Sequence, residues 1–269
     1  MAILLGFTLD VLAQGSLFII GGGKRPPMMM KKLVSESGLD KSGYGIILPQ
    51  SSEEPDTSAF YAARSLTEGG AKSLTTFFFS SGDSLRSTQL DSLRKAALIF
   101  ITGGDQNRFM SAVGGTPAEK AIMDCYQRGG MIAGTSAGAA VMSRIMITGR
   151  ELRYPNADED SFRTIEKDNI ETARGLGLLK STIIDQHFLK RKRMNRLVTA
   201  VLENPGQLGV GIDESTAILV RKNQATVIGE SQVVLLRLNT KLFSDKRSLI
   251  GGRNIAMSVL VPGEIFPIE

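Results

Sequence analysis

The sequence predicts an α/β fold built on a mainly parallel sheet with helices on both faces. Three features carry that prediction. Five short apolar runs stop at turns rich in glycine or serine: 17–20 before 21–23, 45–49 before 50–52, 74–79 before 80–82, 97–101 before 102–104, and 131–133 before Gly134. The runs are continuous rather than alternating, which is how strands covered on both faces read. Amphipathic stretches separate them, and strand–helix alternation is the pattern of parallel crossovers.

Taken in order, residues 57–68 carry Phe60, Ala63 and Leu66 at helical spacing, and 87–96 and 116–128 behave similarly. Residues 182–184 and 217–220 read as further strands of the same sheet. The pair 226–229 and 233–236 reads as a hairpin, and 256–260 as one more strand. The polar stretch 150–172 reads as a long loop or insertion. No linker or internal repeat divides the chain, so residues 15–269 are expected to form one catalytic domain.

Residues 2–9 are apolar, and Val11-Leu12-Ala13 resembles a signal-peptidase site. The positive leading region is missing and Asp10 interrupts the run. Residues 1–14 are therefore read as either a signal-peptide remnant or an N-terminal extension, which leaves the compartment open between cytoplasmic and secreted or periplasmic. No other stretch is long enough to span a membrane.

The 269 residues are 42% hydrophobic and 22% charged, the balance of an ordinary globular protein. The net charge of +5 is a mild basic bias, compatible with an acidic partner or with a solvated surface. A single cysteine, Cys125, excludes an internal disulfide and reads as a packing residue. A single histidine, His187, excludes a two-histidine metal site and forces any imidazole chemistry onto one residue. No metal and no cofactor are expected.

Gly134-Thr135-Ser136-Ala137-Gly138 places a serine on a tight turn after a strand and before a helical start. Glycines there allow close backbone approach and leave the hydroxyl exposed, so Ser136 is the candidate nucleophile. Its hydroxyl needs a base, and His187 follows a predicted strand, where open α/β sheets place their sites. The acid that orients the imidazole is left among Glu214, Asp213 and Asp185. The order serine, histidine, acid differs from the serine, acid, histidine order of α/β-hydrolases, which argues against an ordinary esterase. Backbone N–H groups at Gly104 and Ala137 are candidates to hold an oxyanion, and Gln106 to bind substrate. Gly21-Gly22-Gly23-Lys24 fails the P-loop pattern, because Phe18 stands where it needs glycine and Arg25 where it needs serine or threonine. Pro26 and Pro27 speak against a dinucleotide-binding helix immediately after it. Tight backbone packing is the expected role of these glycines. Lys190, Arg191, Lys192, Arg193 and Arg196 form the densest basic patch. It lacks the interleaved aromatics of a stacking platform for nucleic acid, and its closeness to His187 favours a carboxylate clamp.

Residues 103–106, 134–139, 185–188 with Arg191, Arg193 and Arg196, and 211–214 together resemble the cyanophycinases of peptidase family S51, which also holds aspartyl dipeptidases. The resemblance spans about residues 16–267 in motif order and approximate spacing. It implies a flavodoxin-like three-layer sandwich related to class I glutamine amidotransferases, and usually a homodimer. It implies the triad Ser136, His187 and Glu214, with Gln106, Asp185, Gln186, Arg191, Arg193 and Arg196 as substrate contacts. The family substrate is cyanophycin, a poly-aspartate backbone bearing arginine on each β-carboxyl, and the product is the β-aspartyl-arginine dipeptide. Two alternatives remain at this point: a dipeptidase for aspartyl or isoaspartyl peptides, and a non-catalytic basic binding protein on the same scaffold.

Overall fold

The computed structural model describes residues 14–155, 162–238, 242–245 and 248–269. The expectation for the first residues thus lies almost wholly outside the described chain. In order, the elements are β1 (Ser16–Ile20), α1 (Pro27–Ser37), β2 (Gly45–Leu48), α2 (Pro55–Glu68), β3 (Leu74–Thr76), α3 (Ser87–Lys95), β4 (Leu98–Ile101), α4 (Gln106–Val113), α5 (Pro117–Gln127), β5 (Met131–Thr135) and α6 (Ala137–Ala140). Then come β6 (Ile145–Glu151), β7 (Ile170–Arg174), β8 (Thr182–Gln186), α7 (Met194–Glu203), β9 (Leu208–Ile212), β10 (Thr216–Arg221), β11 (Gln224–Gly229) and β12 (Val233–Leu238). The chain closes with β13 (Leu242–Ser244), β14 (Ile250–Gly252), β15 (Ile255–Leu260) and β16 (Ile265–Pro267).

The main sheet has the order β16-β11-β10-β1-β5-β4-β2-β3. Strands β1 to β5 run parallel, as the continuous apolar runs predict. Alternate residues of β1, β2, β4 and β5 feed opposite faces, and both faces are buried; β3, at the edge, takes only Leu74–Thr76 of the run expected over 74–79 and has no fully buried residue, with Phe78 beyond it exposed. Leu17, Ile19, Ile99 and Ile132 pack into one core. Phe18, Ile20, Phe100 and Ala133 pack into the other. This is a flavodoxin-like sandwich.

Past β1 the sheet changes direction, because β10, β11 and β16 are antiparallel. A smaller sheet, β15-β12-β9-β8, lies between the main sheet and α7. Ile184, Val210 and Ile212 join the main core on one side, while Ile183, Val234 and Leu236 meet Leu197 and Val201 of α7 on the other.

Several sequence expectations are corrected here. Residues 182–184 belong to the smaller sheet, and 217–220 enter the main sheet antiparallel to β1. The apolar runs announce burial but not the partner strand. Residues 226–229 and 233–236 form no hairpin: β11 pairs with β10 and β16, whereas β12 pairs with β9 and β15. Gly229 ends β11 at φ 125°, and a Cβ there would lie 2.3 Å from the Ser215 carbonyl oxygen, so only glycine makes the step between sheets. In α2 the buried residues are Ala59, Ala62 and Leu66, while Phe60 is 62% exposed and stacks edge-on against Tyr61. Pro26 and Pro27 do not prevent a helix; Pro27 opens α1, where a missing N–H costs nothing. The 150–172 stretch is largely the connection between β6 and β7, which pair antiparallel. Cys125 is buried in α5, its Sγ 3.3 Å from the Ala96 carbonyl oxygen, and burial pushes its thiol up to about 12.

Candidate active site

Three loops at strand ends meet beside β1. At the end of β5, Ser136 adopts φ 53° and ψ −112°. That conformation costs a non-glycine residue about 1–3 kcal/mol and persists only where neighbours fix it. Here its N–H donates to the Ile20 carbonyl (3.0 Å), and its own carbonyl accepts from Ala139 (2.9 Å) and Ala140 (3.1 Å). The flanking glycines are sterically required. A Cβ on Gly134 would lie 2.2 Å from the Gly138 oxygen, and one on Gly138 would lie 2.3 Å from the Ile101 oxygen.

His187, directly after β8, is also left-handed at φ 50°, and its N–H donates to the Gly21 carbonyl at 2.7 Å. Its Nε2 lies 2.8 Å from the Ser136 Oγ, and its Nδ1 lies 2.7 Å from Glu214 Oε1. Glu214 sits in the β9–β10 turn, held where Ser215, at φ 56°, donates its N–H to the Gly22 carbonyl. Of the three candidate acids, Glu214 is the one that the structure brings to the imidazole. Asp213 accepts from the backbone of Leu189 and Lys190 and from the Ser231 hydroxyl. Asp185 is committed to Arg196.

The glycine run 21–23 serves this assembly. A Cβ on Gly21 would strike the Asp213 carbonyl oxygen at 2.2 Å, one on Gly22 the His187 ring at 2.3 Å, and one on Gly23 the Glu214 carboxylate at 2.7 Å. His187 is 8% exposed. Burial pulls its pKa below the ordinary imidazole value, Glu214 opposes that by hydrogen bonding, and the Arg191 and Arg193 charges reinforce the decrease. That decrease favours the neutral imidazole, and a neutral ring that donates Nδ1–H to Glu214 has Nε2 free to accept from the serine hydroxyl.

Ser136 borders two cavities. One, of about 300 Å³, is lined by Gly104, Gln106, Thr148, Arg191, Arg193 and Arg196 among others. The basic patch divides here. Lys190 and Lys192 are exposed, whereas Arg193 and Arg196 are buried. Arg193 precedes α7 and Arg196 lies in its first turn. The positive end of a helix disfavours cations. Acceptors on β8 hold them: Arg196 Nε donates to Asp185 Oδ2 at 3.0 Å, and Arg193 Nη1 donates to the Gln186 carbonyl at 2.9 Å and to its side-chain oxygen. Asp185 and Gln186 thereby position the arginines. Gln106 is buried, its amide nitrogen donating to the carbonyls of Ile147 (2.9 Å) and Thr148 (2.6 Å). Gly104 has φ 138°, and a Cβ there would meet the Ser51 oxygen at 2.1 Å. Ala137 opens α6 directly after Ser136.

The second cavity, of about 310 Å³, is lined by Gly22, Gly23, Arg25, Ser58, Tyr61, Ser136 and His187 among others. Sequence reading did not single out Tyr61 or assign Arg25 a role, nor did it find Glu53, Thr148 and Arg150 beside the first cavity. None belongs to a local motif; folding alone brings them in. Among the described residues no group of three or more His, Cys, Asp or Glu is placed to hold a metal ion.

The sequence profile of peptidase family S51 matches residues 69–228, a span that contains Ser136, His187, Glu214 and the three arginines. The chain belongs to peptidase family S51. This S51 peptidase is 33% identical over 227 residues to the cyanophycinase of Nostoc sp. (strain PCC 7120 / SAG 25.82 / UTEX 2576), covering 82% of this chain and 73% of the relative. It is 34% identical over 195 residues to the cyanophycinase of Geminocystis herdmanii (strain PCC 6308), covering 71% and 68%. A crystal structure of a peptidase from an acI-B1 Actinobacterium superposes with a TM-score of 0.69 at 21% identity, over 96% of this chain and 98% of that one. A putative peptidase E protein from Listeria monocytogenes EGD-e gives 0.55 at 17%, over 81% and 100%. These two likenesses show the fold.

Proposed function

We propose that this S51 peptidase is a serine exopeptidase that hydrolyses cyanophycin to β-aspartyl-arginine dipeptides through an acyl-enzyme. The observation that carries the reading is the chain Ser136–His187–Glu214, at 2.8 and 2.7 Å, opening onto an arginine-lined cleft. The cyanophycinase names of its relatives supply the substrate class. Each repeat of that polymer offers an arginine carboxylate and a guanidinium. The cleft offers Arg191, Arg193 and Arg196 to the first, and Glu53 and Asp105 to the second.

In this mechanism His187 Nε2 takes the proton as Ser136 Oγ attacks the scissile carbonyl carbon. The carbonyl π electrons move onto oxygen, and the backbone N–H groups of Gly104 and Ala137 hold the oxyanion. The tetrahedral intermediate collapses, the C–N bond breaks, and Nε2–H passes its proton to the leaving amine. Water, deprotonated by the same nitrogen, then cleaves the ester and returns the proton to Ser136. Glu214 keeps Nδ1 protonated and stabilises the imidazolium in between.

Incubation with soluble cyanophycin and mass analysis of the products tests the reading. Release of β-aspartyl-arginine is expected, with a drop of about 10⁶-fold in Ser136→Ala. Undiminished turnover in that variant removes Ser136 from the mechanism, and hydrolysis of free aspartyl or isoaspartyl dipeptides in place of polymer makes this a dipeptidase. The burial of Arg193 and Arg196 favours a small anionic ligand over nucleic acid. A homodimer belongs to the same proposal: edge strand β15 presents Met257 and Val259 exposed. A monomer in sedimentation at micromolar concentration would remove it.

A further inference from the structure

The two cavities that meet at Ser136 differ in one respect that chemistry can use. The 310 Å³ cavity is lined by both Ser136 and His187, whereas His187 does not line the 300 Å³ arginine cavity. In the acyl-enzyme mechanism the nitrogen that takes the serine proton delivers it to the leaving amine, so the departing half lies on the side where the imidazole is reached. The arginine cavity then receives the acyl half, and the cavity beside Gly22 and Gly23 receives the leaving half.

In that second cavity stands Arg25. Its guanidinium is half-buried and donates a hydrogen bond from Nη2 to the Tyr61 carbonyl at 3.2 Å. Among the described residues no carboxylate forms an ion pair with it, and none lines this cavity. The contrast with Arg196, matched to buried Asp185, is sharp. Burial lowers the Arg25 pKa with no carboxylate opposing the effect. A partly desolvated guanidinium with open donors is a fork for a carboxylate. The residue lies two positions before α1, whose positive end adds to the same potential.

We infer that Arg25 is a specificity-determining residue that binds the α-carboxylate of the departing residue, on the opposite side of Ser136 from the arginine cluster. The inference rests on the acyl-enzyme reading above. It assigns the enzyme two separate anion sites, one for each half of the scissile bond. A substrate whose departing residue carries a carboxamide in place of that carboxylate then loses the contact and keeps every other.

The test is calorimetric binding to the full chain carrying Ser136→Ala, which holds ligand without turnover. The probes are β-aspartyl-arginine and the same compound with its aspartyl α-carboxylate converted to carboxamide. At least tenfold tighter binding of the carboxylate is expected, with the preference erased by adding Arg25→Gln and partly restored by Arg25→Lys. Circular dichroism and melting curves establish that each variant is folded, and the probe comparison on intact Arg25 needs no variant at that position. Equal binding of the two probes, no binding of either at millimolar concentration, or a preference that survives Arg25→Gln overturns the inference. Polymer hydrolysis by the wild-type chain is measured alongside. Discrimination between probes without polymer hydrolysis leaves the clamp standing and removes the cyanophycin reading, and hydrolysis without discrimination does the reverse.

Discussion

Replacing Gly22 with alanine should disable catalysis while leaving the fold intact. The residue sits at φ 107°, and a Cβ there would lie 2.3 Å from His187 Cε1, 2.4 Å from Nε2 and 2.9 Å from Nδ1. Carbon contacts settle near 3.5 Å, so the ring must retreat by roughly 1.2 Å. Retreat on that scale breaks the 2.8 Å contact to Ser136. A misplacement of about 1 Å costs on the order of 10²-fold in rate. The backbone strain of alanine at this φ adds about 1–3 kcal/mol of destabilisation, worth roughly 2–4 °C in Tm per kcal/mol for a chain of this size. The assay is kcat/KM on soluble cyanophycin, read with the rate at which an active-site serine reagent labels Ser136. Both should fall together by about 10²-fold or more, with a melt that stays cooperative and lies roughly 2–12 °C lower. A Gly22→Ala enzyme with unchanged labelling and turnover would refute the claim that this glycine makes room for the imidazole.

The remaining predictions concern ionisation and the buried pair. The acid limb of kcat/KM should fall below the ordinary imidazole value of about 6.5, because burial depresses His187, and Glu214→Gln should move it lower still while cutting kcat by roughly 10³–10⁴-fold. An acid limb above 6.5 would contradict this. The stability sign follows from the same shift. The unfolded chain takes up the His187 proton at higher pH than the folded one, so its contribution is complete above about 6.5 and is lost as pH falls from there through the depressed folded value, which a pH series of melting curves reads. Asp185→Ala should destabilise the fold by about 3–5 kcal/mol, since it strands the Arg196 charge at 3% side-chain exposure. A denaturant titration showing less than about 1 kcal/mol would mean that water or another acceptor reaches that guanidinium.

The parallel half of the fold was legible because strands buried on both faces leave unbroken apolar runs, as 98–101 and 131–133 do. Sheet membership was not legible for the same reason. Residues 182–184 are as apolar as a main-sheet strand, and only their partner, β9, distinguishes them. In α2 the spacing of Phe60, Ala63 and Leu66 predicts the helix, but of these only Leu66 is buried; it joins Ala59 and Ala62 on the face that α2 presents to the core. Ser136 and His187 could be found from a glycine-flanked turn and a solitary imidazole. The choice of Glu214 over Asp213 could not, since the two are adjacent and differ by which one the turn points at Nδ1. The arginines show the same limit. The patch of Lys190, Arg191, Lys192, Arg193 and Arg196 reads as a clamp by its closeness to His187, but nothing local reveals that Asp185 and Gln186 on the adjoining strand draw two of the five inward while both lysines stay exposed.

The site's precision comes from the main chain. Ser136, His187 and Ser215 each hold a left-handed conformation, and each follows or adjoins a strand end. Their N–H groups converge on one turn: Ser136 donates to Ile20, His187 to Gly21 and Ser215 to Gly22. Three consecutive carbonyls at the end of β1 therefore set the positions of the proposed nucleophile, base and acid. Strain of about 1–3 kcal/mol at each residue is offset by those bonds and by the buried sheet behind them. Side chains on a surface loop would reach the same distances with far more freedom to leave them. This explains why the three glycines after β1, which match no nucleotide-binding pattern, leave so little tolerance for a side chain: the first makes way for the acid's turn, the second for the imidazole, the third for the carboxylate. Substitutions at Gly21, Gly22 and Gly23 should accordingly act on turnover far more than on the cores, which lie on the two faces of the main sheet and beneath α7.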